Sequence, residues 1–132
     1  MDTLSVLFIV VSLKYGLPEG LLSSLCFVES AHIITAIHKD DGGGNSVGVC
    51  QIKLTTAKEL GFRGTEQDLM KPEVNIDYAA AYLAKQRIRY SGSIKKAVIA
   101  YNRGNAKNLT TSKYQVKVFN IWKKQNSSRA TK

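Results

Sequence analysis

Apolar residues recur at helical rather than alternating spacing along nearly the whole chain. The first segment, about 4–15, has an apolar run from Leu4 to Leu13 interrupted by Ser5 and Ser12, and it closes on Gly16, a natural glycine stop for a helix. It is far short of the roughly 20 apolar residues that cross a bilayer, so a buried first helix is predicted and no membrane span. Pro18-Glu19 then suits the first turn of a second helix, with the acid at the positive end of the dipole. In that helix Leu22, Cys26 and Glu29 share one face, and Leu21, Leu25 and Val28 form the adjoining stripe. Glu29 is therefore placed beside apolar neighbours, away from the outer face where a solubilising glutamate belongs.

Residues 39–48, Lys-Asp-Asp-Gly-Gly-Gly-Asn-Ser-Val-Gly, carry the strongest loop signal. Thr56-Ala57-Lys58-Glu59 has capping-box spacing, with Gly61 closing a short helix. Pro72-Glu73 opens a longer helix that runs to about Tyr90, where Ser91-Gly92-Ser93 breaks it. Ser93 caps the next helix, which ends near Tyr101, and Ser112 caps a last one with Tyr114, Val118, Ile121 and Trp122 facing inward. From Gln125 the chain is polar and expected to fray. The pattern predicts one mainly α domain over 1–132, with six or seven helices, a core over about 5–122 and one glycine-rich excursion.

Composition sharpens this picture at three points. The chain has 132 residues, 44% of them hydrophobic, enough for a core without covalent staples. Two cysteines exclude a disulfide-dense scaffold and lack zinc-site spacing, so Cys26 and Cys50 are expected to be small buried hydrophobes rather than a bonded pair. Charge is unevenly placed: 1–77 holds six Lys/Arg against ten Asp/Glu, a balance of −4, whereas 78–132 holds thirteen Lys/Arg and no acid, a balance of +13. Such a basic half predicts a polyanionic partner.

Glu29 is the leading candidate for chemistry. A carboxyl group against apolar neighbours holds its proton to higher pH, as a general acid for glycoside cleavage must. His32 and His38, six apart with no further ligand set, are expected to pack or sit at the surface, so neither a metal nor an organic cofactor is implied.

Three segments go further: Glu29-Ser30, then Gly48-Val49-Cys50-Gln51-Ile52 about twenty residues on, then Ala100-Tyr101-Asn102-Arg103-Gly104 about fifty after that. In this order and spacing they resemble the signatures of the soluble lytic transglycosylase (SLT) domain family, relatives of goose-type lysozymes. Tyr15-Gly16-Leu17-Pro18, Asn75-Ile76, Ala81-Tyr82-Leu83-Ala84 and Tyr90-Ser91-Gly92 fit the same family, so the resemblance spans roughly 5–122.

The resemblance implies a lysozyme-like fold and cleavage of peptidoglycan glycan strands. Glu29 would act as acid and then base, with a 1,6-anhydro-muramic product and no cofactor. Tyr101 would hydrogen-bond Glu29 and hold its orientation. Ser46, Gln51, Tyr82 and Asn102 would contact the sugars. The family's Leu-Met is Val49-Cys50 here, which places Cys50 at the groove where the methionine lies. Asp40 and Asp41, in the loop where goose-type lysozymes carry acids, would supply the second carboxylate of a hydrolytic muramidase, the alternative outcome at the same bond.

The remaining alternatives belong to other classes. The basic half interleaves with Tyr82, Tyr90, Tyr101, Tyr114 and Trp122, as a nucleic-acid-binding module would require. Several of these aromatics fall at core spacing and no nucleic-acid-binding signature is visible, so the expected polyanion is an envelope polymer. A catalytically dead glycan-binding relative is disfavoured by the presence of Glu29. The acidic start, Met1-Asp2-Thr3, and the lack of a cleavage-like triplet do not read as a secretory signal. The expectation is a monomer made in the cytoplasm, released by a holin, virion or secretion apparatus, and acting on the wall as a bacteriophage endolysin or a local wall-opening factor.

Overall fold

The computed structural model describes residues 1–40 and 42–130. Seven helices are present among them: α1 (Thr3–Lys14), α2 (Leu21–Ser30), α3 (Leu54–Glu59), α4 (Glu66–Leu69), α5 (Pro72–Arg89), α6 (Ile94–Arg103) and α7 (Lys113–Ala130). Between α2 and α3 the chain forms three two-residue strands, β1 (Ile37–His38), β2 (Ser46–Val47) and β3 (Ile52–Lys53). They make an antiparallel sheet in the order β1-β2-β3, with Ile37 opposite Val47 and Ser46 opposite Lys53. This small sheet is what the glycine-rich excursion becomes.

Helix α5 organises the fold, packing against α1, α6, α3, α4 and β3, while α7 closes over α2 and α6. The main core joins Phe8 and Val11 of α1, Leu21, Leu22, Leu25 and Cys26 of α2, Ile76, Ala79, Ala80 and Leu83 of α5, Ala97, Val98 and Tyr101 of α6 and Val118 of α7. A smaller cluster of Val47, Ile52, Ala57 and Leu69 underlies the sheet. The apolar N-terminal run is only partly a core helix: Phe8 and Val11 are buried, whereas Val6, Val10 and Leu13 are exposed.

Several boundaries follow the sequence. Pro72 stands in the first turn of α5, the Ser93 side chain accepts from Lys96 N–H at the start of α6, and Ser112 accepts from Gln115 N–H at the start of α7. Others do not. Pro18 stays in the preceding turn, because Gly20 takes a left-handed φ of 83° and α2 begins only at Leu21. Thr56 lies inside α3, and the capping box is instead at Thr65, which exchanges hydrogen bonds with Asp68 ahead of α4. Asp replaces the usual Glu or Gln in that box, which hides it from the pattern. The polar stretch after Gln125 continues α7 to Ala130 rather than fraying there, since propagation needs only one new backbone bond per residue once Val118 is buried. Thr131 and Lys132 lie outside the described residues.

The largest correction concerns the cysteines. Cys26 and Cys50 form a disulfide across a sequence separation of 24, with Cα atoms 4.3 Å apart. Nothing local signals this pairing, because only tertiary packing lays the segment after β2 against α2. Both residues are fully buried, so Cys50 does not reach the groove where the resemblance placed it. The bridge closes a loop whose restriction in the unfolded chain is worth about 3 kcal/mol. Replacing both cysteines by alanine is expected to lower unfolding free energy by about that amount, measured by urea denaturation. Wild-type protein held in dithiothreitol should lose a similar amount; equal midpoints in all three samples would refute a stabilising bridge.

Candidate active site

Glu29 sits in the last turn of α2, which ends where Ala31 turns left-handed at φ 56°. The helix end thus directs the carboxyl out of the core and into the wall of a groove of about 570 Å³. Ser46 of β2, Gln51, Lys53 of β3, Tyr82 of α5, and Tyr101 and Asn102 of α6 line the same groove. Ser46, Gln51, Tyr82, Tyr101 and Asn102, all drawn from the sequence, are therefore brought together with Glu29.

The partner of Glu29 differs from expectation. Tyr114 of α7 donates its phenol to Glu29 Oε2 at 2.5 Å, whereas Tyr101 donates to the carbonyl of Cys50 at 2.7 Å. The hydrogen bond to Glu29 expected of Tyr101 is thus made by Tyr114, which the sequence marked only as an inward-facing aromatic. No motif signals it, because it approaches from a helix 85 residues away in sequence. Burial raises the Glu29 pKa from 4.5 to about 7, against the opposing pull of the Tyr114 hydrogen bond. Tyr101 and Tyr114 are themselves pushed well above the ordinary phenol range by burial and by Glu29, so both remain donors.

Residues 48–51, which join β2 to β3, are held by side chains beside backbone bonds from Gly48 N–H to Ala36 O and from Gln51 N–H to Gly48 O. Ser30 Oγ donates to Val49 O at 2.6 Å, tying the residue after Glu29 to this segment. Asn75, fully buried in α5, accepts from Cys50 N–H and donates to the carbonyls of Val47 and Leu69, each at 2.8 Å. Gly48 faces that amide at φ 84°, and a Cβ there would stand 2.2 Å from Asn75 Nδ2, so glycine is required sterically and conformationally. Gln51, itself left-handed at φ 52°, donates Nε2 to the carbonyls of Ala36 and Gly48. Its Oε1 carries no hydrogen bond among the described residues and is left to accept from a ligand.

Tyr82 packs its ring 5.4 Å from that of Tyr101, forming an aromatic corner of the groove beside exposed Asn102. Asp40 lines the groove on the sheet side, ion-paired to Lys53 at 2.7 Å. Asp41 lies outside the described residues. His38 lines the groove, while His32 bonds the Ser23 carbonyl at 2.8 Å between Phe8 and Phe27. Among the described residues no group of three or more His, Cys, Asp or Glu side chains is placed to hold a metal ion. No helix among them is long and apolar enough to cross a membrane. The groove thus offers one carboxyl able to give and retake a proton near neutral pH, flanked by amides, a hydroxyl and aromatic faces suited to sugar rings.

Because Glu29 binds its proton more tightly in the folded than in the unfolded chain, wild-type stability falls as pH rises from about 4.5 through about 7. Glu29→Gln carries no charge to bury. It is expected to gain on wild type between pH 5 and pH 8 by up to about 3 kcal/mol, read from denaturant midpoints. A difference that does not change with pH would mean that the Glu29 carboxyl is not held in a desolvated site.

Comparison with known proteins places this geometry. The chain is 34% identical over 95 residues to the peptidoglycan transglycosylase gp16 of Escherichia phage T7, a match covering 70% of this chain and 7% of that protein. It is 28% identical over 95 residues to protein IpgF of Shigella flexneri, covering 70% of this chain and 62% of that one. The chain therefore spans less than two thirds of the length of either relative. Its fold matches an inactive mutant of the lytic transglycosylase Slt from Pseudomonas aeruginosa, with a TM-score of 0.73 over 92% of this chain and 24% of that one, at 22% identity. The family model for the transglycosylase SLT domain matches residues 6–124, including every residue placed around Glu29 above, and the chain belongs to that family.

Proposed function

We propose that this chain is a peptidoglycan lytic transglycosylase, with 1–132 acting as one catalytic domain. Its reaction breaks the β-1,4 bond between N-acetylmuramic acid and N-acetylglucosamine and leaves a 1,6-anhydro-muramic end. The observation that carries this reading is the half-buried Glu29 carboxyl, held at one oxygen by Tyr114 and raised to a pKa of about 7 by burial. Glu29 Oε1, the oxygen not held by Tyr114, gives its proton to the glycosidic oxygen as the bond to the muramoyl C1 breaks. The N-acetylglucosamine side leaves as an alcohol. The carboxylate so formed takes the proton of the muramoyl 6-hydroxyl, whose oxygen closes on C1. Glu29 ends protonated and no water is consumed. The substrate's own acetamido group stabilises the charge developing at C1, so one protein carboxyl suffices.

The relatives agree with this reading: the phage protein is a peptidoglycan transglycosylase and the structural neighbour a lytic transglycosylase. A second reading, inverting hydrolysis at the same bond, is favoured by Asp40, whose carboxylate lines the same groove. In the first reading the Asp40–Lys53 pair shapes the sheet side of the groove. In the second Asp40 activates a water. The basic half suits attachment to the anionic envelope: Lys95, Lys96, Lys113, Lys117 and Lys123 are exposed and meet no acid among the described residues.

Mass spectrometry of muropeptides released from purified peptidoglycan separates these readings. The expected products of wild type end in 1,6-anhydro-muramic acid, and Glu29→Gln releases none. Reducing muramic ends, lost on Asp40→Asn, would replace transglycosylation by hydrolysis. No release by folded wild type would overturn both.

The two tyrosines are expected to act differently. Tyr114→Phe should lower kcat about tenfold and move the alkaline limb of the pH–rate profile upward, because a donor to the carboxylate is lost. Tyr101→Phe should instead lower stability by about 1–3 kcal/mol, since it leaves the buried Cys50 carbonyl unpaired, and leave that limb in place.

A further inference from the structure

The charges lining the groove do not cancel. Glu29 is largely protonated below its pKa of about 7, and Asp40 and Lys53 pair with one another at 2.7 Å. The remaining charged side chain is Arg103, in the last turn of α6, directly after Tyr101 and Asn102. Its guanidinium makes no hydrogen bond or ion pair among the described residues, and the residue is exposed. A simple structural role as a helix C-terminal cap is already filled, because Arg89 Nη1 donates to the Gly104 carbonyl at 3.1 Å. The left-handed Gly104, at φ 89°, ends the helix at this point, so the Arg103 side chain stands at the groove rim instead of continuing along a helix surface.

The ligand chemistry that answers a guanidinium is a carboxylate or phosphate, which it binds through paired N–H donors. The sugar rings of a glycan strand made of N-acetylated hexosamines carry no charge. Their carboxylates hang from the lactyl ether of the muramoyl unit, either directly or through an attached peptide stem. We infer that Arg103 is a specificity residue of this groove, pairing with a carboxylate borne on the muramoyl substituent and so selecting acidic strands over neutral ones. This inference rests on the proposed reaction and deepens it. Glu29 and Tyr114 act at the scissile bond, Gln51 and Asn102 at the sugar amides and hydroxyls, and Arg103 at the side branch that distinguishes muramic acid from its neighbour.

The test compares wild type, Arg103→Ala and Arg103→Lys on three preparations of the same glycan strands. One keeps its peptide stems, one has them removed by an amidase to free the lactyl carboxylate, and one has all carboxyls converted to amides with carbodiimide and ammonia. On stem-bearing strands Arg103→Ala is expected to raise KM about tenfold, the scale of a lost charge-assisted hydrogen bond, with Arg103→Lys recovering part of it. On amidated strands the ratio of variant to wild-type KM should fall towards one, because wild type loses the same contact. A persisting effect on amidase-treated strands assigns the contact to the lactyl carboxylate, and an effect confined to stem-bearing strands assigns it to the stem. A KM ratio that is equal on acidic and amidated strands, or equal to one on both, overturns the inference while leaving the reaction intact. Absence of turnover by wild type on stem-bearing strands, with the protein folded by circular dichroism, overturns the proposed reaction and this inference with it.

Discussion

Four residues of backbone, 48–51, run from β2 to β3 against the end of α2 outside the sheet ladder. Buried peptide groups left unpaired cost about 1–3 kcal/mol each, so side chains from elsewhere complete the bonds that the backbone pairs of Gly48 with Ala36 and Gln51 with Gly48 leave open. Asn75 serves Val47 and Cys50, Ser30 serves Val49, Tyr101 serves Cys50, and Gln51 turns back on Gly48. The Cys26–Cys50 bridge adds a covalent tie at the same seam. The segment lies beside the candidate acid, since Ser30, next to Glu29, bonds Val49, and Gln51 lines the same groove as Glu29.

The motif residues therefore have two kinds of work. Ser30 follows the candidate acid in sequence, yet it binds the neighbouring backbone. Tyr101 belongs to the third motif, and its phenol also goes to that backbone, while its ring stacks beside Tyr82 at the groove. The group that touches the carboxyl is Tyr114, supplied by the last helix. Desolvation and this hydrogen bond pull the Glu29 proton affinity in opposite directions, and desolvation is the larger effect. A carboxyl poised near neutrality results from that balance, with its orientation fixed by the weaker of the two influences.

Charge is divided in the same economical way. The ion pairs Lys14–Asp77, Lys53–Asp40 and Lys71–Asp68 all draw on the chain before residue 78, where the acids are. Lys95, Lys96, Lys113, Lys117 and Lys123 of the later helices meet no acid among the described residues, and Arg103 reaches the groove. Attraction of an acidic polymer to the surface and discrimination within the groove can thus come from the same compositional bias.

How much of this the chain announced varies with the range of the interaction. Helical periodicity, Pro72, Ser93 and Ser112 placed α5, α6 and α7, because capping and amphipathicity act over a few residues. Glu29, Gln51, Tyr101 and Asn102 lie in three short motifs in register, Ser46 just before the second and Tyr82 in a connecting stretch, and all six line one groove. The start of α2, the box at Thr65 and the continuation of α7 were misread where a left-handed glycine, an aspartate or a polar helix departs from the usual pattern. The Cys26–Cys50 bond, the clasp of Asn75 on Gly48 and the bond from Tyr114 to Glu29 join residues 24, 27 and 85 positions apart. Sequence alone determined which helices form and which side chains could carry the chemistry, since those depend on local backbone preference and residue type. Tertiary structure decided which of them meet and how far Glu29 is withdrawn from water, because contact and desolvation are set by packing between distant segments.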